Sequence, residues 1–221
     1  MYIMTRRLGF LSGEFLAKTQ PEVIEFIHAL NSIPLPIAPG YAKYPGHTPI
    51  WNAAMDMVGR SLGWKTQQYV DKSEKRIADW KGDFEKKMDS GLRVFVEIEL
   101  GNAASAFRNL AKFDLGMQLD NFDFFLLGVP GARAKQDIQY ATSFDEIEAR
   151  EELYRKFVHA PCIVFELEPE SRLDLILQTG CDVSELRGRM GPTQATDFIR
   201  KYGLYPQWNG QKNLQPAIDN G

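Results

Sequence analysis

The sequence has few residues that bind transition metals through sulfur or nitrogen, with two cysteines and three histidines among 221 residues. Cys162 and Cys181 form no Cys-x-x-Cys pair, and a structural zinc site takes four Cys or His ligands. This scarcity argues against a zinc-bound domain. We expect two buried thiols in a reducing compartment.

Long apolar runs and a strong charge of one sign are also missing. No apolar run approaches the roughly 20 residues that a membrane-spanning helix needs, and residues 1–8 lack the apolar core of a signal peptide. The net charge of −3 argues against a protein held on nucleic acid by bulk charge. A local basic surface beside an acidic metal site still suits a DNA enzyme. We therefore expect a soluble, cytoplasmic protein with no membrane partner.

Helix-like and strand-like patterns alternate along the chain. Apolar content of 44% and charged content of 25% are typical of a globular protein, and the length suits one domain over residues 1–221. The predicted helices span 21–30, 51–64, 103–113 and 144–157, and the predicted strands span 93–102, 121–130 and 161–168. Because a strand, a helix and a second strand form a crossover unit, we predict an α/β fold with a central mixed β-sheet flanked by helices.

Two segments beside these elements have their own signatures. Residues 34–50 contain five prolines and two glycines, which predicts an irregular loop. Asn102 is a suitable N-cap for the helix over 103–113, whose periodicity predicts that Phe107, Leu110 and Ala111 face inward.

The central feature of the chain is a short apolar strand that carries two acids. Side chains alternate along a strand, so Glu97 and Glu99 share one face with Phe95. Two neighbouring carboxylates are costly to bury, and a divalent cation with oxygen ligands such as Mg²⁺ removes that cost. The alternative is that both acids line the wet face of a half-exposed strand.

A third acid precedes this strand. Asp89-Ser-Gly91 has the composition of a turn, so a strand containing Asp83 would form a hairpin with the Glu97 strand. Nucleases that use Mg²⁺ need acids from two adjacent strands to hold the cation against the scissile phosphate. Asp83 is the favoured first ligand because Asp89, its competitor, lies in the predicted turn itself.

These residues resemble the core of type II restriction endonucleases. The resemblance rests on Asp83-Phe84, on Val96-Glu-Ile-Glu-Leu-Gly101, on the Asn102–Asn109 helix and on the upstream Asn52 helix that ends in Gly63-Trp64. It covers about residues 49–130 and is similar to the BglII, BstYI and BamHI subgroup of the PD-(D/E)xK superfamily. The chain departs from the superfamily pattern at two positions, with Gly82 in place of proline before the aspartate and Glu99 in place of lysine.

The resemblance implies roles for individual residues. Asp83 and Glu97 would ligate Mg²⁺, Glu99 would act at the third catalytic position, and Asn52 matches a further polar position on the upstream helix. It also implies a homodimer that closes around double-stranded DNA and a functional pairing with a cognate DNA methyltransferase.

The sequence thus predicts a Mg²⁺-dependent, sequence-specific type II restriction endonuclease that hydrolyses phosphodiesters with a metal-activated water. The loop over 34–50 and the arginine-rich segment 187–201 are the candidate DNA contacts, on the basis of their composition. Two alternatives stay open. One is another PD-(D/E)xK nuclease of repair or mobile elements, and the other is a non-catalytic DNA-binding or interaction protein.

Overall fold

This computed structural model describes residues 5–33, 47–71, 80–137, 140–168, 180 and 182–203. Within these residues there are six strands: β1 Arg7–Phe10, β2 Lys65–Tyr69, β3 Lys81–Lys87, β4 Arg93–Ile98, β5 Phe124–Pro130 and β6 Cys162–Leu167. They form one mixed sheet in the order β1-β6-β5-β4-β3-β2. The central strands β4, β5 and β6 run parallel to one another, whereas β1, β2 and β3 pair antiparallel with their neighbours.

Eight α-helices and one short 3₁₀ helix, Val183–Arg187, accompany the sheet in the described residues. The helices are α1 Gly13–Thr19, α2 Pro21–Asn31, α3 His47–Ser61, α4 Ala103–Gln118, α5 Ala132–Asp137, α6 Phe144–Glu148, α7 Glu151–Phe157 and α8 Pro192–Tyr202. No described helix has both the length and the apolar character needed to cross a membrane. Helix α4 connects the parallel strands β4 and β5, which is the predicted crossover unit.

The chain divides into two units. The first comprises Met1–His28 and Gly63–Glu168 and contains the whole sheet with α1 and α4–α7. The second comprises Ala29–Leu62 and Pro169–Gly221, and within it α3 packs against α8. The predicted α/β fold, a mixed sheet flanked by helices, is confirmed, while the assignment of 1–221 to a single nuclease domain stays a prediction.

Aromatic side chains fill both sides of the sheet near β4. On one face Phe95 contacts the rings of Phe122 and Phe113, at centroid distances of 4.7 and 6.3 Å. On the other face Phe84, which pairs with Val96, lies 5.3 Å from the ring of Phe26. Strand β5 is buried along its whole length, as expected for a central strand covered on both faces.

The structure corrects two expectations about the bounds of helices and loops. The loop predicted over 34–50 ends early, because His47–Ile50 already form the first turn of α3, where Pro49 is tolerated. Residues 34–46 lie outside the described residues. The helix predicted over 144–157 is two helices, α6 and α7, which are separated at Ala149 and Arg150.

Helix α4 faces the sheet with a different stripe from the one predicted. Leu110 is buried, but Phe107 is half exposed and Ala111 is exposed. The buried stripe instead includes two polar side chains, those of Asn109 and Lys112. The hydrophobic pattern alone predicted the wrong inward face of α4, because these two polar side chains form hydrogen bonds with residues of the hairpin and the segment after it.

Candidate metal site on the β3–β4 hairpin

The β3–β4 hairpin brings Asp83 beside Glu97. The two strands pair antiparallel with Phe84 opposite Val96, so the next positions along each strand are Asp83 and Glu97. The Asp83 Oδ2 atom accepts a hydrogen bond of 2.7 Å from the backbone N–H of Ile98. Asp83 is therefore tied to the strand that carries the two glutamates.

The competing acid lies at the other end of the hairpin. Asp89 is exposed in the turn that precedes Gly91, whose φ of +90° suits a glycine. Six positions of extended chain separate Asp89 from Asp83, or about 20 Å. Of the two aspartates, only Asp83 is close to Glu97.

The glycine before Asp83 has a steric cause. A Cβ atom at Gly82 would lie 2.1 Å from Cζ of Phe95, well inside van der Waals contact. Because the Phe95 ring occupies this space, neither proline nor alanine fits without a shift of the core. Packing against β4 thus explains why glycine precedes Asp83.

Glu97 is buried and paired with a lysine from α4. Its side chain is 7% exposed, and its Oε1 atom accepts a hydrogen bond of 2.7 Å from Nζ of Lys112, which is 4% exposed. The same ammonium donates to the backbone carbonyl of Lys81 at 2.8 Å. Lys112 therefore joins α4 to both strands of the hairpin.

Glu99 is held by neutral donors. Its Oε1 atom accepts from the backbone N–H of Gly101 at 2.8 Å, and its Oε2 atom accepts from Nδ2 of Asn109 at 3.1 Å. The Oδ1 atom of Asn109 is buried and has no hydrogen-bond partner among the described residues. One polar oxygen beside Glu99 is therefore left to interact with a bound group or water.

Burial and charge move the pKa values of both glutamates upward. Burial, followed by the charge of Asp83, raises the pKa of Glu97 to about 8 against the opposing effect of Lys112. Burial also raises the pKa of Glu99, which the Gly101 N–H and the charge of Arg108 oppose. Because a bound cation favours the ionised form of a carboxylate, a cation at this site would lower the pKa of both glutamates.

The site has a donor set that fits a hard divalent cation. Carboxylate oxygens such as those of Asp83 and Glu97 are the kind of ligand that Mg²⁺ takes. Within the described ranges no three His, Cys, Asp or Glu side chains come together closely enough to hold a metal ion. The side chains thus offer a carboxylate pair rather than a complete cage, which suits Mg²⁺ because this ion retains several waters.

Two other predictions concern residues of the second unit. Asn52 lies on α3 in the second unit and its side chain is exposed, so its role stays a prediction. In the segment 187–201, Lys201 pairs with Glu185 at 2.6 Å, whereas Arg189 is exposed.

Sequence reasoning missed Lys112 and Asn109. The available signal was their spacing of three residues on a helix, together with buried positions Ala106 and Phe113 on the same stripe. A lysine on an apolar helical stripe is a candidate partner for a buried acid, because a buried charge needs compensation.

The fold that carries the β3–β4 hairpin is similar to that of a solved structure. A crystal structure of the restriction endonuclease BglII in complex with a DNA 16-mer matches the chain with a TM-score of 0.58 at 14% sequence identity, covering 76% of this chain and 79% of BglII. The chain has the restriction-endonuclease fold of BglII. A structure of free BglII matches with a TM-score of 0.49 at 15% identity, over 76% of this chain and 81% of that one.

Comparison of sequences adds no closer relationship, because no protein-family model and no curated protein sequence matches the chain. At 14% identity the similarity to BglII shows the fold alone. The function must therefore be argued from the hairpin residues themselves.

Proposed function

We propose that this chain is a Mg²⁺-dependent, sequence-specific type II restriction endonuclease that hydrolyses phosphodiesters of double-stranded DNA. The observation that carries the proposal is the pair Asp83 and Glu97, two acids from adjacent antiparallel strands, one of them buried, within a BglII-like fold. Lys112 offsets one of the two negative charges, and a bound cation would offset the other.

In this proposal Asp83 and Glu97 would hold Mg²⁺, which when bound polarises the phosphodiester and lowers the pKa of a water nucleophile. The Ile98 N–H fixes one oxygen of Asp83, and Lys112 fixes one oxygen of Glu97. Both carboxylates are therefore oriented before DNA arrives, which lowers the reorganisation that the reaction requires.

Glu99 is proposed to act at the third catalytic position, where it would accept a proton from the attacking water. Burial raises the pKa of Glu99, which makes its carboxylate a stronger base than an exposed glutamate. Asn109 and the Gly101 N–H hold its two oxygens, so the carboxylate has one preferred orientation. Asn52 is proposed as an accessory polar residue.

The proposed partners follow from this activity. The chain would act as a homodimer on double-stranded DNA, as cleavage of both strands needs two sites, and a cognate DNA methyltransferase would protect the host. Sequence would be recognised outside the catalytic hairpin, because base edges are read in the grooves. Arg189 is an exposed cation available for such contact.

The test compares two aspartates that lie on the same hairpin. Asp83→Asn should abolish Mg²⁺-dependent cleavage of unmethylated duplex DNA, whereas Asp89→Asn should cleave like the wild type, because Asp89 lies in the turn about 20 Å away. Both variants keep the size of the side chain. Cleavage would be followed on plasmid and genomic DNA in Mg²⁺ and in EDTA.

The products separate the alternatives. Discrete fragments support a restriction enzyme, and a smear or structure-dependent nicking would favour another nuclease of the same superfamily. No cleavage in Mg²⁺ or Mn²⁺, combined with no metal-induced rise in melting temperature, would favour a non-catalytic protein, because a metal bound only to the native state stabilises it.

A further inference from the structure

One buried polar atom of α4 has no role in the mechanism described so far. The Oδ1 atom of Asn109 accepts no hydrogen bond from the described residues, although the Nδ2 atom of the same amide donates to Oε2 of Glu99 at 3.1 Å. The residue is only 1% exposed. Since buried polar atoms are hydrogen-bonded with few exceptions, this oxygen requires a donor.

Asn109 lies at a position where packing alone would favour an apolar residue. Ala106 and Phe113, three residues before and four residues after it, lie on the same stripe of α4 and are buried. A leucine would be a better helix former at this position and would bring no unpaired oxygen. Neither packing nor helix formation therefore explains the polar group of Asn109.

Glu99 fixes the direction in which the Asn109 amide points. An ionised carboxylate only accepts hydrogen bonds, so the amide turns its NH₂ group toward Glu99 and its oxygen away from Oε2. Glu99 is itself held, because its Oε1 atom accepts from the Gly101 N–H at 2.8 Å and its own backbone N–H donates to the Gly128 carbonyl at 2.8 Å. The Oδ1 atom of Asn109 thus has a fixed position near the Glu99 carboxylate.

A water molecule is the donor that suits this position. A buried water needs at least two polar partners, and a water here can donate one hydrogen to Oδ1 of Asn109 and the other to the Glu99 carboxylate. The lone pairs of its oxygen then point away from both residues. Glu97 is two positions from Glu99 on extended chain, or about 7 Å, so this water lies next to the proposed metal ligand.

We propose that Asn109 binds the water that attacks the phosphodiester and, together with Glu99, fixes its orientation. The inference rests on the proposed function, in which Glu99 accepts a proton from this water. The water oxygen forms the new bond to phosphorus while the bond from phosphorus to the leaving ester oxygen breaks. One proton of the water passes to Glu99, and solvent supplies a proton to the leaving oxygen.

Asn109 is therefore a positioning residue whose amide neither gains nor loses a proton. Its contribution is the fixed position of the nucleophile, because a displacement of about 1 Å can lower the rate about a hundredfold.

The water itself is tested without DNA or metal. A crystal structure of the wild-type chain should show an ordered water within hydrogen-bond distance of both Asn109 Oδ1 and the Glu99 carboxylate. The Asn109→Leu variant should lack this water, while Glu99 keeps its hydrogen bond to the Gly101 N–H. A protein donor on Asn109 Oδ1, or no ordered water there in the wild type, would overturn the inference.

Kinetics tests what the water does. Asn109→Leu should lower the single-turnover rate at saturating duplex DNA by about a hundredfold. Its dissociation constant for DNA in EDTA should stay within about twofold, because a buried side chain makes no contact with DNA. Asn109→Ser, whose hydroxyl can accept the same hydrogen bond, should be about tenfold faster than Asn109→Leu.

The matched control is Asn121→Leu. Asn121 donates to the Val70 carbonyl at 3.1 Å, outside the hairpin, so this variant should keep the wild-type rate. Circular dichroism of each variant checks that the fold persists at the assay temperature.

The outcomes separate this inference from the nuclease activity. A rate for Asn109→Leu within about threefold of the wild type would overturn the inference and leave the activity standing. Equal losses in Asn109→Leu and Asn121→Leu would also overturn it, because they would reflect a general weakening of the fold. A wild type that holds the water but cleaves no DNA in Mg²⁺ or Mn²⁺ would overturn the nuclease function, and the catalytic role of the water with it.

Discussion

Two strands of the sheet carry the same Glu-x-Glu pattern, and the glutamates of the two strands differ in their burial and in their hydrogen-bond partners. On β4 and just after it, Glu97 and Glu99 are buried and bonded to Lys112 and Asn109 of α4. On β6 and just after it, Glu166 and Glu168 bond to cations near the surface instead. The two pairs are alike in sequence, so their difference comes from the elements that cover each strand.

The β6 acids have ordinary partners. Glu166 accepts from Arg6 at 3.4 Å, and Arg6 also pairs with Asp145 at 2.6 Å. Glu168 accepts from Nε of Arg133 at 2.9 Å and from its backbone N–H at 2.8 Å. Both arginines are substantially exposed, so solvent shares in compensating these acids. The two pairs therefore differ in their partners, because buried residues of α4 bond the acids of β4, whereas exposed arginines bond those of β6.

The largest expected difference is in catalysis. Glu97→Gln should lower the rate of Mg²⁺-dependent DNA cleavage by about a thousandfold or more, because metal stabilisation of the transition state supplies several kcal/mol. Glu166→Gln, the same change on β6, should leave the rate within about twofold, since Glu166 lies outside the β3–β4 hairpin and its partner Arg6 is 43% exposed. Single-turnover cleavage of a duplex substrate measures both. Equal loss in the two variants would remove the distinction between the strands.

A second difference is expected in stability, where the two cations are compared. Lys112→Met should lower the free energy of unfolding by about 3–5 kcal/mol, because it leaves the buried Glu97 without a counter-charge. Arg6→Met should cost about 1 kcal/mol or less, since that side chain is 43% exposed. Urea denaturation in EDTA compares the two. A loss of under about 1 kcal/mol for Lys112→Met would mean that Glu97 is not held by this pair.

The smallest expected effect concerns the neutral partners. Asn109→Ala should lower the free energy of unfolding by about 1–2 kcal/mol, because one oxygen of the buried Glu99 loses its donor. Arg133→Ala should change it by no more than about 0.5 kcal/mol, since the backbone N–H groups of α5 continue to bond Glu168. The same denaturation series tests this pair, and a larger loss for Arg133→Ala would reverse the expected order.

Local chemistry allowed several elements to be predicted. The Asp89-Ser-Gly91 turn forms because Gly91 adopts a positive φ, and Asn102 caps α4 by accepting from the Ala104 N–H at 2.8 Å. The capping box of Ser143 likewise begins a helix at Phe144. Such signals involve residues that are close together in the sequence, so the sequence alone is enough to predict them.

Packing between distant segments could not be predicted in the same way. The periodicity of the sequence predicted wrongly that Phe107 faces inward, and it did not indicate that Lys112 is buried. Both orientations depend on which face of α4 meets the sheet. It also gave no account of Gly82, whose requirement comes from the Phe95 ring on the neighbouring strand.

The sequence by itself determined the hairpin, the crossover and the alternation that places Glu97 and Glu99 on one face. Turn chemistry, capping and side-chain periodicity act over a few residues and need no other part of the protein. The sequence favoured Asp83 over Asp89, and only the tertiary structure decided the register that sets Asp83 beside Glu97 and the rotation of α4 that brings Lys112 to Glu97. These depend on strand register and helix rotation, which are fixed when the whole core packs and water is excluded.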